Sequence, residues 1–258
     1  KLKKEFKNFD LIFSANTITH INNLKLVLKN IKNILSNDGI FVLEEPSFLE
    51  CFKKNAFDQF YNEHIYVLSA ISLTNVLRPL GLKIFKIENI KVHGGSLRYY
   101  IAKDTNLKFI TEKSYKMQIK NEKKYRLNRF SSCLIFKNNV IKVKKDLISI
   151  FKNVNKNKIK IIGYGASAKA VTVLNFCDLK EDYIDYFLDT TTNKVGKYLP
   201  GTQILVKKYS KNKMGKKNYY FLGAWNFKDE IMKKEKFFLN NGGKFISHLP
   251  RPQIFGYK

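Results

Sequence analysis

Acidic residues are scarce in this chain. Its 258 residues include 21 Asp and Glu against 48 Lys and Arg, a formal charge of +27. Cysteines are scarcer still: Cys51, Cys133 and Cys177 lie too far apart for a zinc spacing or a disulfide framework, and this usage implies a reducing, cytoplasmic compartment. No apolar run approaches the roughly 18 residues that cross a bilayer, so a membrane-spanning helix is excluded and no membrane partner is expected. The sequence shows no signal peptide ahead of its first apolar strand, no internal repeat, no Ser-His-Asp set and no metal-ligand spacing. What it does have excludes disorder: 44% hydrophobic and 14% aromatic residues, at a length that suits two domains.

A charge of this size raises the possibility of nucleic-acid binding. The surplus, however, is Lys rather than Arg, in company with abundant Asn, Ile and Phe, the set that AT-rich codons favour. Compositional background is therefore the expectation, with no nucleic-acid partner. Residues 112 to 158 alone carry 14 Lys or Arg against 3 acidic residues, a net +11.

Hydrophobic patterning predicts alternating elements. Asp10–Ser14 has strand length, and apolar residues from Leu24 to Leu35 recur at helical spacing until Asn37-Asp38-Gly39 stops them. Ile40–Leu43 is the next strand, ended by Glu44-Glu45-Pro46, with a helix after it through Phe48, Leu49, Phe52 and Phe57. A helix from Ser72 to Leu80 closes at Gly81, and strands Leu82–Ile90 and Ser96–Ala102 follow. From 112 to 158 the spacing predicts one long amphipathic helix, or two with a break near Asn138-Asn139, a solvated connector between domains. The last hundred residues predict a small doubly wound domain: strand Ile159–Ile162, a helix through Cys177, strand Ile184–Leu188, strand Tyr219–Leu222, a helix closed at Gly242-Gly243 and a final strand Phe245–Ser247.

Three places offer chemistry. Tyr61-Asn-Glu-His64 sets an imidazole beside a carboxylate and a phenol, suited to proton transfer, although a solvated His–Glu pair in a loop fits the same pattern. Gly163-Tyr-Gly-Ala-Ser-Ala-Lys169 joins a strand to a helix, where backbone N–H groups and the helix dipole favour a phosphate; a tight turn without a ligand fits as well. Asp189 falls about 20 residues on, where a ribose-binding acid would stand. His93-Gly-Gly-Ser-Leu-Arg98 reads as a hairpin whose Arg98 could meet an anion. His20 follows the first strand, and His248 lies in a Pro-flanked tail.

Six segments in order resemble the S-adenosylmethionine-dependent C-methyltransferases of deoxysugar biosynthesis, which act on nucleotide-linked 4-keto-6-deoxyhexoses. They are Asp10-Leu-Ile-Phe-Ser-Ala-Asn16 with His20, Tyr61-Asn-Glu-His64, His93-Gly-Gly-Ser-Leu-Arg98, Gly163-Tyr-Gly-Ala-Ser-Ala-Lys169, Gly196-Lys-Tyr-Leu-Pro-Gly-Thr202 and Trp225-Asn226. The resemblance implies an α/β fold: the C-terminal half of a class I methyltransferase domain (1–106), a helical connector (107–158) and a Rossmann-like nucleotide-sugar-binding domain (159–258). A terminal antiparallel strand pair is how class I methyltransferase domains finish, though other mixed sheets share it. The family's zinc-binding domain, and with it the zinc, is expected only ahead of this chain, as is the loop for S-adenosylmethionine.

The resemblance also implies roles. His64 is the general base, Glu63 orients it, and Tyr61 places or protonates the sugar. Ala15, Asn16 and His20 face the methionine end of S-adenosylmethionine. Gly163, Tyr164, Gly165, Lys169, Arg98, His93 and Asn226 hold the nucleotide-sugar, and the expected state is a monomer. A non-catalytic nucleotide-sugar-binding fragment is the alternative, and a basic nucleic-acid-binding protein is the more remote one.

Overall fold

The computed structural model describes residues 8–210 and 217–256. Lys1 and Lys258, where the first expected domain begins and the last one ends, lie outside them. The chain is mixed α/β and divides into two compact units. The first runs to Phe52 and resumes from Asn62 to Ile135; the second takes Lys53–Tyr61 and everything from Phe136 onward.

The first unit is built on four strands: β1 (Phe9–Ala15), β2 (Leu35–Pro46), β3 (Leu82–Ile90) and β4 (Ser96–Lys103), in the order β1-β2-β4-β3. β1 and β2 are parallel, joined through helix α1 (Leu24–Ile34), while β4 runs antiparallel to both neighbours. Asn37-Asp38-Gly39, expected to stop the helix, lie inside β2, and α1 already ends at Ile34. β2 already pairs with β1 at Leu35, and the three residues form an irregularity in that pairing before Ile40 meets Leu11. Among the described residues β1 is an edge strand, with Leu11 and Phe13 exposed.

Helices α2 (Phe48–Lys54) and α3 (Ala70–Leu77) complete this layer, α3 ending in a turn at Arg78–Leu80 with Gly81 left-handed at φ 69°. The start of α3 is closely satisfied. Ser69 Oγ accepts from Ser72 N, and Ser72 Oγ accepts from Ser69 N. The remaining donors, Ala70 N and Ile71 N, each lie 2.8 Å from a carboxylate oxygen of Glu122. Glu122 is buried on α4 (Lys113–Lys124), and Gln118 one turn before it donates a further bond at 2.9 Å. That cap, with Tyr115 and Ile119 packed against the core, makes α4 part of the first unit.

The predicted connector is thus neither continuous nor a solvated strut. Its helices break at 125–129, where Arg126 takes a left-handed φ of 54°, and not at Asn138-Asn139, which lie inside α5 (Phe130–Lys156). From Phe136 on, α5 belongs to the second unit and buries Val140, Val143, Leu147, Phe151 and Val154 in its core.

The second unit holds β5 (Ile161–Tyr164), β6 (Phe187–Asp189), β7 (Val206–Lys208), β8 (Tyr219–Leu222), β9 (Lys244–Ser247) and β10 (Gln253–Phe255). Their order is β10-β9-β8-β5-β6-β7, parallel except for β10, which is the doubly wound order counted outward from β5. β7 and β10 have no counterpart in the sequence expectation. Both faces of the sheet are covered. Ile161, Phe187, Phe221 and Ile246 pack on one side with α5 and α6 (Ala168–Cys177); Ile162, Tyr164, Tyr220, Leu222 and Phe245 pack on the other. Helices α7 (Lys228–Lys234) and α8 (Lys236–Asn240) cover that second side.

Replacing Glu122 by Ala removes two charge-assisted bonds from a buried helix start, so urea denaturation followed by circular dichroism will show a loss of about 2–3 kcal/mol, with a smaller loss for Glu122→Gln.

Candidate functional site

The site in the first unit begins where β1 ends. Ala15 pairs with Glu44 of β2, and Asn16 follows in a left-handed conformation, φ 49°, with its N–H still donating to Glu44 O at 2.9 Å. Asparagine tolerates this region better than other non-glycine residues, which suits it to the sharp turn at the strand end. The chain then turns through Ile18–His20. Three successive N–H groups, of Thr17, Ile18 and Thr19, converge on Glu45 Oε1 at 3.1, 2.9 and 3.4 Å, while Thr19 Oγ1 donates to Oε2 at 2.8 Å. Such a concavity of amides is a ready anion holder, and here the anion is the protein's own. Glu45 is 0% exposed; burial pushes its carboxyl above the ordinary value, against the pull of those hydrogen bonds.

The secured turn then recruits the segment after His64. Thr19 O accepts from Ile65 N at 2.9 Å and Tyr66 N at 3.3 Å, and Tyr66 Oη donates to Asn22 O at 2.6 Å. As a result His20 and His64 meet edge to face, ring centroids 4.9 Å apart at 80°. One was expected to face the cofactor and the other to act as base, and the structure brings them together. Glu63 does not join them: it is exposed, and among the described residues it has no hydrogen-bond or ion-pair partner. The carboxylate of this site is Glu45, which its place in an acidic pair at a strand end disguises in the sequence.

Tyr61 belongs to the second unit. The buried Lys169 (8% exposed), in the first turn of α6, sets its Nζ 5.2 Å from the centre of the Tyr61 ring. A cation at a helix start opposes the helix dipole, so helix stability does not account for it.

The glycine turn before α6 is bonded largely within the protein. Gly163 N and Gly165 N donate to Tyr186 O and Leu188 O at 2.8 Å, Ala166 N donates to Asp189 Oδ2 at 2.7 Å, and Ser167 Oγ caps Ala170 N at 3.1 Å. These donors are committed to the protein and not to a phosphate. The glycines are explained by packing: a Cβ on Gly163 would stand 2.2 Å from the Phe187 ring, and Gly165 has φ +83° against Ala224. Asp189 holds the turn. Burial would raise its carboxyl, but bonds from Thr191 and Ala166 and the nearby charge of Lys194 lower it overall.

Other expected residues are placed as follows. Arg98 is engaged by carboxylates opposite it on both neighbouring strands, Glu44 at 2.5 Å and Glu88 at 3.4 Å, which raises its already high pKa. It sits in the first unit, with its charge engaged by that cross-strand pair. His93 is exposed in the β3–β4 turn at φ 52°. Tyr164 is buried with its hydroxyl donating to Glu235 at 2.7 Å; burial and that bond push its phenol well above the usual range. Asn226 is half-buried in the turn Trp225–Phe227.

Two hollows in the second unit border the segment that the sequence singles out, with Tyr164, Gly165 and Asp189 on one and Ala166, Ser167 and Ala168 on the other. One, about 290 Å³, lies at the C-terminal ends of β5 and β6 and is lined by Tyr164, Asp189, Tyr209, Phe227 and Lys234 among others. The second, about 430 Å³, lies beside the start of α6 with Ser167, Lys194, Lys197 and Tyr198 on its walls. The first occupies the crevice in which doubly wound sheets hold ligands. Among the described residues no three His, Cys, Asp or Glu side chains are arranged to hold a metal ion, and no helix is long and apolar enough to cross a membrane.

The raised Glu45 carboxyl has a sign. The folded state holds its proton more tightly than the unfolded state, so stability is greatest below the ordinary value of 4.5 and falls as pH rises through the raised folded value. Urea midpoints measured across that window will fall with rising pH in the native protein. In Glu45→Gln this component of the slope will be gone.

Comparison with known proteins accords with this architecture. A family model described as the C-methyltransferase C-terminal domain matches residues 91–250, and one described as a methyltransferase domain matches residues 2–87. C-methyltransferase NovU of Streptomyces niveus is 30% identical over 244 residues, 95% of this chain and 58% of that protein. The chain thus spans a little over half the length of that curated relative. With more than half of its residues matched by the first model, the chain belongs to the C-methyltransferase family.

Proposed function

We propose that the protein to which this chain belongs transfers a methyl group from S-adenosylmethionine to a carbon of a nucleotide-linked 4-keto-deoxysugar, with His64 as the base. The observation that carries this reading is the meeting of His64 with His20 on the turn that Glu45 secures. We read the first unit as the C-terminal half of a class I methyltransferase domain and the second as the nucleotide-sugar-binding domain.

The 4-keto group acidifies the neighbouring C3–H. His64 removes that proton, and the electron pair of the C–H bond enters an enolate. C3 would take up the methyl group that S-adenosylmethionine would supply, the new C3–C bond forming as the carbon–sulfur bond gave up its pair to sulfur. When bound, S-adenosylmethionine supplies that electrophilic methyl group. The residues at the end of β1 suit its methionine end: the Asn16 side-chain amide makes no hydrogen bond to the described residues, and a left-handed backbone fixes it beside Ala15 and His20. His20, edge-on to His64, limits the rotation of the base. Glu63, exposed, acts on His64 only weakly.

In the second unit Tyr61 places the sugar, with the charge of Lys169 set against its ring. With the Gly163, Gly165 and Ala166 amides bonded within the protein, charge on a diphosphate is met by side chains: Lys169 in the first turn of α6 and Lys197 on the wall of the 430 Å³ hollow beside it, while Lys194 is bonded to Ala166 O. The 290 Å³ hollow, with Tyr209 and the Asp189 carboxylate, is where the nucleoside is held.

The base assignment is tested in deuterated solvent with a nucleotide-linked 4-keto-6-deoxyhexose. The native protein will exchange the C3 proton, seen by NMR, and will methylate C3; His64→Ala will do neither, with kcat down by about 10²–10⁴. Glu63→Gln will cost only a few-fold. Undiminished turnover in His64→Ala would remove His64 from this role.

A further inference from the structure

The segment Lys53–Tyr61 leaves the first unit and joins the second, and a buried polar cluster holds it there. Asp58 and His248 are both 0% exposed, with His248 Nε2 3.4 Å from Asp58 Oδ2. The same carboxylate oxygen accepts a short bond from the indole N–H of Trp225, the single tryptophan of the chain. Trp225 and Phe57 set their rings edge-on to His248, and Asn55 Nδ2 reaches Pro250 O at 3.3 Å.

Fold stability alone accounts poorly for this cluster. A polar pair taken wholly out of water regains little over an apolar pair of the same shape. Here the hydrogen bonding is also incomplete, since Asp58 Oδ1 and both ring nitrogens of His248 find no hydrogen-bond partner among the described residues. Groups kept in such a state specify a position. Gln59 and Phe60 continue the turn from Phe57 through backbone bonds to Ala56 O and Phe57 O, so the geometry of Asp58 is passed to Tyr61 three residues on.

We infer that Asp58, with Trp225 and His248, is a positioning residue for Tyr61: the cluster anchors the 53–61 segment to the second unit and so sets the phenol beside Lys169. None of the three touches the reacting atoms in this scheme. The anchor also gives a structural role to the Trp225-Asn226 segment and to His248, neither of which the sequence connects with Tyr61. Its kinetic consequence rests on the methyltransferase reading above; its structural consequence does not.

Two variants test it. Asp58→Asn keeps an acceptor for Trp225 but removes the charge, and Trp225→Phe keeps the ring volume but removes the donor, so the second serves where the first destabilises the whole unit. Hydrogen exchange by mass spectrometry will show amides 56–61 exchanging at least about tenfold faster in either variant, while those of α5 keep their native rates. In the methyl-transfer assay either variant will lower kcat at least about tenfold with KM changed less than about threefold, and adding Tyr61→Phe will cost no more, because the phenol is already displaced. Native exchange in segment 56–61 of both variants, or a full additive loss on adding Tyr61→Phe, would overturn the inference. Faster local exchange in a protein that shows no methyl transfer would count against the methyltransferase reading and leave the anchor standing.

Discussion

One buried carboxylate organises the first unit's candidate site. Glu45 sits at the end of β2, out of water, and three amides and a hydroxyl from the Thr17–Thr19 turn converge on it. An anion of this kind is costly to bury unless every lone pair is answered, so the turn and the carboxylate define each other. The cost is met by the neighbouring strand, because β1 runs parallel to β2 and ends at Ala15, opposite Glu44. Everything that follows hangs on that turn: Thr19 O receives the backbone after His64, and His20 supplies the ring against which His64 lies.

The second constraint is the path of the chain. Tyr61 and His64 form one motif in sequence, yet they belong to different compact units, because the chain enters the second unit at Lys53 and returns after Tyr61. Tyr61 accordingly meets Lys169, and His64 meets His20. Two separate anchors therefore set the two ends of a four-residue motif: Asp58 on one side, Thr19 and Glu45 on the other.

Much of this fold was legible. Apolar alternation predicts β3 and β8 with the ends they have, because those strands are held by burial, which hydrophobicity reports directly. The helical spacing of Val140, Val143, Leu147, Phe151 and Val154 is likewise the stripe that α5 buries. What escaped depends on partners distant in sequence. The break between α4 and α5 falls at Arg126 and not at the paired asparagines, since α4 is tied to the start of α3 by Glu122, 51 and 52 residues from the amides it caps. Arg98 looks free in sequence, and only strand register sets Glu44 and Glu88 opposite it. Glu45 and Asp58 are likewise buried against partners distant in sequence. An acid just before Pro46 at the end of an apolar strand is a faint signal of burial, and Asp58 offers none beyond the neighbouring Phe57. His64, Tyr61, His20 and Lys169 were singled out, but their pairing was not, because it is a property of chain path.

The central claim is that Glu45 holds the two imidazoles together, and it is tested most directly by NMR on protein labelled at histidine. The native chain will show nuclear Overhauser contacts between the ring protons of His20 and His64, whose centroids lie 4.9 Å apart. Glu45→Ala will abolish these contacts while leaving those within the second unit intact. Persistence of the His20–His64 contacts in Glu45→Ala, or their absence from the native protein, would contradict the account.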